Sequence, residues 1–79
     1  MLNLKIVSPE KIEFQGEVES VLVPGTLGSF EILNDHAPII SSLETGTVAY
    51  QTREGRHELA IRGGFVEVKK NDVSLCVEV

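Results

Sequence analysis

The sequence predicts an all-β protein, an antiparallel sandwich or flattened barrel formed as one domain over residues 1–79. Three observations predict it. Apolar and polar residues alternate with a period of two along most of the chain. Turn-forming clusters of Gly, Pro, Asn and Asp recur about every 8–10 residues. No long stretch carries the 3.6-residue period of an amphipathic helix.

The elements follow in order. Leu2-Asn3-Leu4-Lys5-Ile6 alternates as a half-buried strand, and Ser8-Pro9-Glu10 punctuates it. Lys11-Ile12-Glu13-Phe14-Gln15 alternates again before Gly16. Residues 17–23 read as a strand whose apolar phase changes near Ser20-Val21, as a β-bulge would produce. Pro24-Gly25-Thr26-Leu27-Gly28 is a loop. A short strand around Phe30 and Ile32 precedes a second loop, Asn34-Asp35-His36-Ala37-Pro38. Residues 39–43 form a strand closed by Glu44-Thr45-Gly46. Residues 47–52 pair with 58–62 across Arg53-Glu54-Gly55-Arg56, which is hairpin chemistry. Gly63-Gly64 breaks the chain, Phe65-Val66-Glu67-Val68 is extended, and Lys70-Asn71-Asp72 turns it. The last strand, residues 73–79, sets four valines and leucines on one face and Ser, Cys and Glu on the other. Nine strand candidates result, with no internal repeat.

Composition excludes several classes of function. The 79 residues carry 7 basic and 12 acidic side chains, a formal net charge of −5. Lys69-Lys70 is the only adjacent basic pair, so no basic patch exists to hold nucleic acid or an anionic membrane surface. The longest apolar runs, such as Val21-Leu22-Val23, are far short of the roughly 20 residues of a membrane-spanning helix. The N-terminus lacks the basic start and apolar core of a secretory signal. The single cysteine, Cys76, cannot form an internal disulfide, which fits a reducing compartment. Its neighbours Leu75 and Val77 predict a buried thiol.

Catalytic chemistry finds little to stand on. His36 and His57 are 21 residues apart, and no GxSxG marks a nucleophile. There is no CxxC, HxxxH or EF-hand pattern to hold a metal. Gly25-x-x-Gly28 lacks the following Lys of a phosphate loop and opens a strand rather than a helix. No cofactor is expected. The residues alone therefore favour a binding or assembly module over an enzyme. Its candidate contact surface is the loop pair 24–29 and 33–38, which carries Leu27, Leu33, Ala37 and Pro38.

An ordered series of motifs then runs nearly end to end. It begins with Leu4-x-Ile6-Val7-Ser8-Pro9-Glu10 and Phe14-x-Gly16-Glu17-Val18. Val21-x-Val23-Pro24-Gly25-x-x-Gly28-x-Phe30-x-Ile32-Leu33 leads into His36-Ala37-Pro38-Ile39-Ile40-Ser41-x-Leu43-x-x-Gly46. Gly63-Gly64-Phe65-Val66-Glu67-Val68 and Asn71-Asp72-Val73 complete it. In these motifs the chain resembles the N-terminal domain of the epsilon subunit of the rotary F-type ATP synthase.

The resemblance implies a ten-stranded sandwich of two five-stranded antiparallel sheets. It implies a non-catalytic rotor subunit at the foot of the central stalk. There it grips the gamma subunit, rests on the c-ring, and acts indirectly on the alpha/beta hexamer. It implies a peripheral place on the cytoplasmic face of a bacterial plasma membrane, without insertion. Carried over position by position, it implies a c-ring interface at Leu27, Ser29, Glu31, Leu33, His36 and Pro38, and a gamma interface at Ser8. The family often has an acidic residue where this chain has Ser29; Glu31, two residues on, offers a carboxylate from the same side of the strand. Many family members continue into a C-terminal helical hairpin that inhibits hydrolysis. These residues stop short of it, so neither inhibition nor nucleotide binding is expected of them. The alternative from the residues alone is a free-standing adaptor sandwich with another protein partner.

Overall fold

The computed structural model describes residues 1–79 and contains nine strands and no helix. They are β1 (Leu2–Val7), β2 (Ile12–Val18), β3 (Ser20–Gly25), β4 (Gly28–Ile32), β5 (Ile39–Leu43), β6 (Gly46–Thr52), β7 (Gly55–Ile61), β8 (Gly63–Lys69) and β9 (Asp72–Glu78). The order β2-β1-β9-β8-β5 makes a five-stranded layer, and β3 with β4, β6 and β7 makes the second layer. One residue pair, Gly25 with Leu43, joins the two along a shared edge, so the whole is one curled sheet folded onto itself.

The all-β sandwich predicted from the alternation is thus formed, with three differences in detail. The second layer has four strands rather than five. The longest connection, residues 33–38, is turned by Asp35 at φ 61 and tied down by hydrogen bonds, so it adds no tenth strand. One pairing is parallel: β1 lies beside β9 with Leu4 opposite Val73 and Ile6 opposite Leu75. These are the first and last strands, so no hairpin fixes their relative direction, and alternation does not encode it. The phase change near Ser20 is not a bulge but a crossing. Glu19 leaves the ladder between β2 and β3, and its amide donates to the Gln51 carbonyl at 2.8 Å as the chain passes from one layer to the other. A register shift does occur elsewhere, between Ile6 and Val7 on β1.

The core follows from the alternation. Leu2, Leu4 and Ile6 of β1, Val66 and Val68 of β8, and Val73, Leu75 and Val77 of β9 point inward from the five-stranded layer. Val21, Val23, Ile32, Val48 and Ile61 meet them from the other. Each such side chain contributes about 1.5–3 kcal/mol on leaving water. Val79, expected on the same face as Val77, lies past the end of the ladder and is exposed. At the edge away from Gly25, Phe14 of β2 packs on Tyr50 of β6 with ring centroids 4.5 Å apart, closing the layers by side chains instead of hydrogen bonds.

The glycine pair at 63–64 does not interrupt a strand but opens one. Gly64 has φ +145, and a Cβ there would lie 2.2 Å from the Cys76 carbonyl oxygen and 2.8 Å from the Val77 Cα. Only glycine lets β8 approach β9 this closely. The β6–β7 hairpin is tighter than the sequence predicts: Thr52 pairs with Gly55 across a two-residue Arg53-Glu54 turn. The Thr52 hydroxyl holds it, accepting from the Glu54 amide at 3.2 Å and lying 3.1 Å from His57 Nε2. His57 also stacks on Tyr50 at 5.3 Å, a structural use of the second histidine.

Candidate protein-docking surfaces

The sequence-predicted contact residues do not gather at one tip. β4 separates the two loops, so Leu27 sits at one end of the sandwich and Leu33, His36 and Pro38 at the other. Ser29 and Glu31 project outward from β4 between them, while Phe30 and Ile32 turn inward. Pro24 and Gly25, read as loop, are buried at the end of β3. The six residues therefore line one flank along an edge strand. Leu27 is fully exposed at 103% of its reference area, and Leu33 is half exposed at 51%. Segment 24–38 contains Glu31 and Asp35 but no Lys or Arg, so the flank is acidic with apolar ends.

The far end of this flank is well held. The Asp35 amide donates to Asn71 Oδ1 at 2.8 Å, and the N-terminal ammonium donates to Asn34 Oδ1 at 3.2 Å. Both bonds fasten the loop to β1 and to the β8–β9 turn. His36 closes the turn through its amide, 3.1 Å from the Leu33 carbonyl. Its Nδ1 lies 2.7 Å from the Ala37 carbonyl, a bond that requires the proton on Nδ1. The ring is half-buried 6.4 Å from Phe30, so it shapes the loop as much as it faces outward.

Ser8 belongs to a different surface. It follows the last residue of β1, and its hydroxyl donates to the Glu13 carboxylate at 2.8 Å. Beside it lies the outer face of the five-stranded layer. Register places Ile12, Val7, Cys76, Phe65 and Ser42 in one row across β2, β1, β9, β8 and β5. The next row holds Gln15, Lys5, Ser74, Glu67 and Ile40. Phe65 is 48% exposed, Ile12 52% and Ile40 73%. A groove of about 340 Å³ runs between Pro9 and Phe65, with Val7 and Cys76 in its lining. Cys76 is therefore half-buried on the outer face; the expected fully buried thiol is not formed, because β9 turns Leu75 and Val77 inward instead. Farther along, the same face becomes polar around a cavity of about 530 Å³ lined by Asn3, Lys5, Gln15, Glu17 and Asp72.

Ser8 borders this row, and none of the row's own residues was expected from the sequence to be a contact; Cys76 was expected in the core. The row's signal is present as apolar doublets within alternating strands: Ile6-Val7, Ile39-Ile40 and Phe65-Val66. A doublet puts one apolar side chain on each face of a strand. No three His, Cys, Asp or Glu side chains converge as a metal set anywhere in the chain.

Comparisons with known proteins agree in direction. The family model described as "ATP synthase, Delta/Epsilon chain, beta-sandwich domain" matches residues 1–79. The ATP synthase epsilon chain of Leptospira borgpetersenii is 43% identical over 77 residues, covering 98% of this chain and 61% of that one. The chloroplastic epsilon chain of Tetradesmus obliquus is 38% identical over 74 residues, covering 94% and 54%. The chain thus spans little more than half the length of these relatives. In structure it is similar to a chain of the Euglena gracilis mitochondrial ATP synthase, with TM-score 0.89 at 19% identity over 96% of this chain and 49% of that one. A chain from the central stalk and c-ring of the Tetrahymena thermophila mitochondrial ATP synthase gives TM-score 0.84 at 15% identity, over 99% and 63%. At these identities the structural likeness speaks for the fold alone.

Proposed function

Because the chain belongs to the family of the ATP synthase delta/epsilon-chain β-sandwich domain, we propose that it serves as a non-catalytic rotor module. It couples c-ring rotation to the gamma subunit during ion-gradient-driven ATP synthesis. The observation that supports this reading is two separate exposed surfaces with apolar side chains, set on one sandwich whose layers share a single core. A coupling part needs two partners and little internal give. The β4 flank, acidic and tipped by Leu27 and Leu33, suits the basic and polar loops of a c-ring. The row from Ser8 through Val7 and Phe65 suits gamma, with an apolar centre and a polar rim. The complex sits at the cytoplasmic face of a bacterial plasma membrane, in keeping with the bacterial source of the Leptospira relative.

Titration calorimetry with purified gamma subunit tests the reading. Saturable one-to-one binding is expected. Absence of heat at tens of micromolar, with the domain folded by circular dichroism, would move the chain to an adaptor role with another partner.

A further inference from the structure

The turn at the far end of the β4 flank is held in an orientation that its own residues do not select. The Leu33 carbonyl accepts from the His36 amide at 3.1 Å, closing a four-residue turn with Asn34 and Asp35 at its centre. Asp35 has φ 61, while Asn34 does not have positive φ. That pattern is a type II turn. Glycine is the usual third residue of such a turn, because a Cβ at positive φ is strained. Asn-Asp without glycine suits the type I turn instead, whose third residue has negative φ. The two turns differ by a flip of the peptide joining the central residues, which reverses the direction of the third residue's amide.

The group that holds the flipped peptide comes from 36 residues away: the Asp35 amide donates to Asn71 Oδ1 at 2.8 Å. Asn71 sits in the two-residue turn between β8 and β9, where Lys69 pairs with Asp72. There Lys70 takes the positive φ, at 58, a place better suited to Gly or Asn, and Asn71 does not. The asparagine's conformational tolerance is thus not used by its own turn. Its side chain reaches the neighbouring loop instead, while its backbone carbonyl accepts from the Asn3 amide at 2.8 Å. In the type I orientation the Asp35 amide points away from Oδ1 and that bond is lost.

We propose that Asn71 is a positioning residue for loop 33–38: its side-chain carbonyl selects the type II turn and so fixes how Leu33, His36 and Pro38 are presented. The consequence for docking rests on the c-ring reading of this flank. A loop that flips presents the right surface only part of the time, and apparent affinity falls by that fraction. Asn71 also ties the loop to the turn of β8 and β9, the strands that carry Phe65 and Cys76 on the surface assigned to gamma.

Nuclear magnetic resonance of the free chain tests the turn. The Asn34 Hα and the Asp35 amide proton lie close together in a type II turn and farther apart in type I. Their Overhauser cross-peak should be strong in the wild type and several-fold weaker in Asn71→Ala. That variant keeps the backbone bond to Asn3, and a circular dichroism melt checks that it folds. Asp35→Gly makes positive φ free of strain, so in that background Asn71→Ala should leave the cross-peak strong. A residue needed only for folding would not be rescued in this way. Pull-down of the gamma-bound chain on detergent-solubilised c-ring reads docking. Asn71→Ala should lower retention about 2- to 10-fold, the population change that one hydrogen bond supports. Gamma binding by calorimetry should be unchanged, since Asn71 lies at the Asn3 end of β1, away from Ser8. A cross-peak equally strong in Asn71→Ala would overturn the selection of the turn, and retention equal to wild type would overturn its role in docking. A wild-type chain that the ring does not retain would instead sink the c-ring reading, and the cross-peak would still decide whether Asn71 selects the turn.

Discussion

The outer face of the five-stranded layer exposes Ile40 and leaves Val7 and Phe65 lining an open groove, whereas the four-stranded layer sets Ser20, Gln51, Arg56, Glu31 and Glu58 around a half-buried Leu22. The inward faces of both layers are alike, lined by Val, Leu and Ile. The difference teaches that folding and association draw on separate residues of the same strands. A strand that serves only the fold needs one apolar face, as β7 has. A strand that also meets a partner carries apolar doublets, as β8 does. The one ion pair on the polar face, Arg56 to Glu58 at 3.3 Å, joins side chains that are both more than half exposed and contributes close to nothing to stability.

The largest effect that separates the layers is steric. Gly64 in the five-stranded layer and Gly55 in the other both have positive φ, +145 and +134. A Cβ on Gly55 meets nothing within 4 Å, while one on Gly64 strikes backbone at 2.2 Å. Gly64→Ala should cost about 3 kcal/mol, from backbone displacement added to conformational strain. Gly55→Ala should cost only about 1 kcal/mol, the strain alone. Urea unfolding of both variants measures the gap. Equal losses would mean that β8 can move off β9 freely.

Next comes the partner surface. Phe65→Asp should weaken gamma binding at least ~30-fold while leaving the unfolding midpoint almost unmoved, since the ring is already half in water. Calorimetry against gamma and a thermal melt read the two quantities. A collapse of the melt would make Phe65 part of the fold rather than of the docking face.

How much of this was legible beforehand depends on what each residue has to know. The inward positions needed only their own strand: Leu2, Leu4 and Ile6 alternate, and they are buried. The crossing at Glu19 was seen as a change of phase, but phase alone does not separate a bulge from a passage between layers. The parallel β1–β9 pair depends on contacts about 70 residues apart in sequence and leaves no local trace. The β4 residues were named from the resemblance, yet their spread along a flank appears only when Gly28–Ile32 is measured as a strand between the two loops. The row through Val7, Cys76 and Phe65 is assembled by register from separate strands. The doublets announce it, but only register aligns them.

A smaller effect is expected on the acidic flank. Leu27→Asp and Leu33→Asp should reduce co-purification with the c-ring and change stability by no more than ~0.5 kcal/mol, because neither side chain leaves the core. His36→Ala should do less to assembly, as its ring bonds to its own loop. Pull-down on detergent-solubilised ring, with a urea curve for each variant, separates contact from fold. Unfolding by Leu27→Asp would be incompatible with a fully exposed side chain.

The smallest effect lies where the layers touch by side chains. Tyr50 packs between a tilted Phe14 and a stacked His57, and burial raises its hydroxyl above the ordinary value of 10.0 by disfavouring the phenolate. The sign follows from proton binding. Below pH 10.0 the folded and unfolded chains both keep the proton, and the contribution is fully present. As pH rises through 10.0 the unfolded chain loses its proton first, so it binds fewer protons than the fold and stability falls. The loss continues until the folded tyrosine ionises in turn. Tyr50→Phe keeps the ring stack and removes the titration. The urea midpoint of the wild type should therefore fall more steeply on the alkaline side of 10.0 than that of the variant, while the two stay parallel on the neutral side. Identical alkaline slopes would show that the phenolate of Tyr50 reaches water in the folded chain, and that the Phe14–Tyr50 edge is a looser closure than the hydrogen-bonded edge at Gly25 and Leu43.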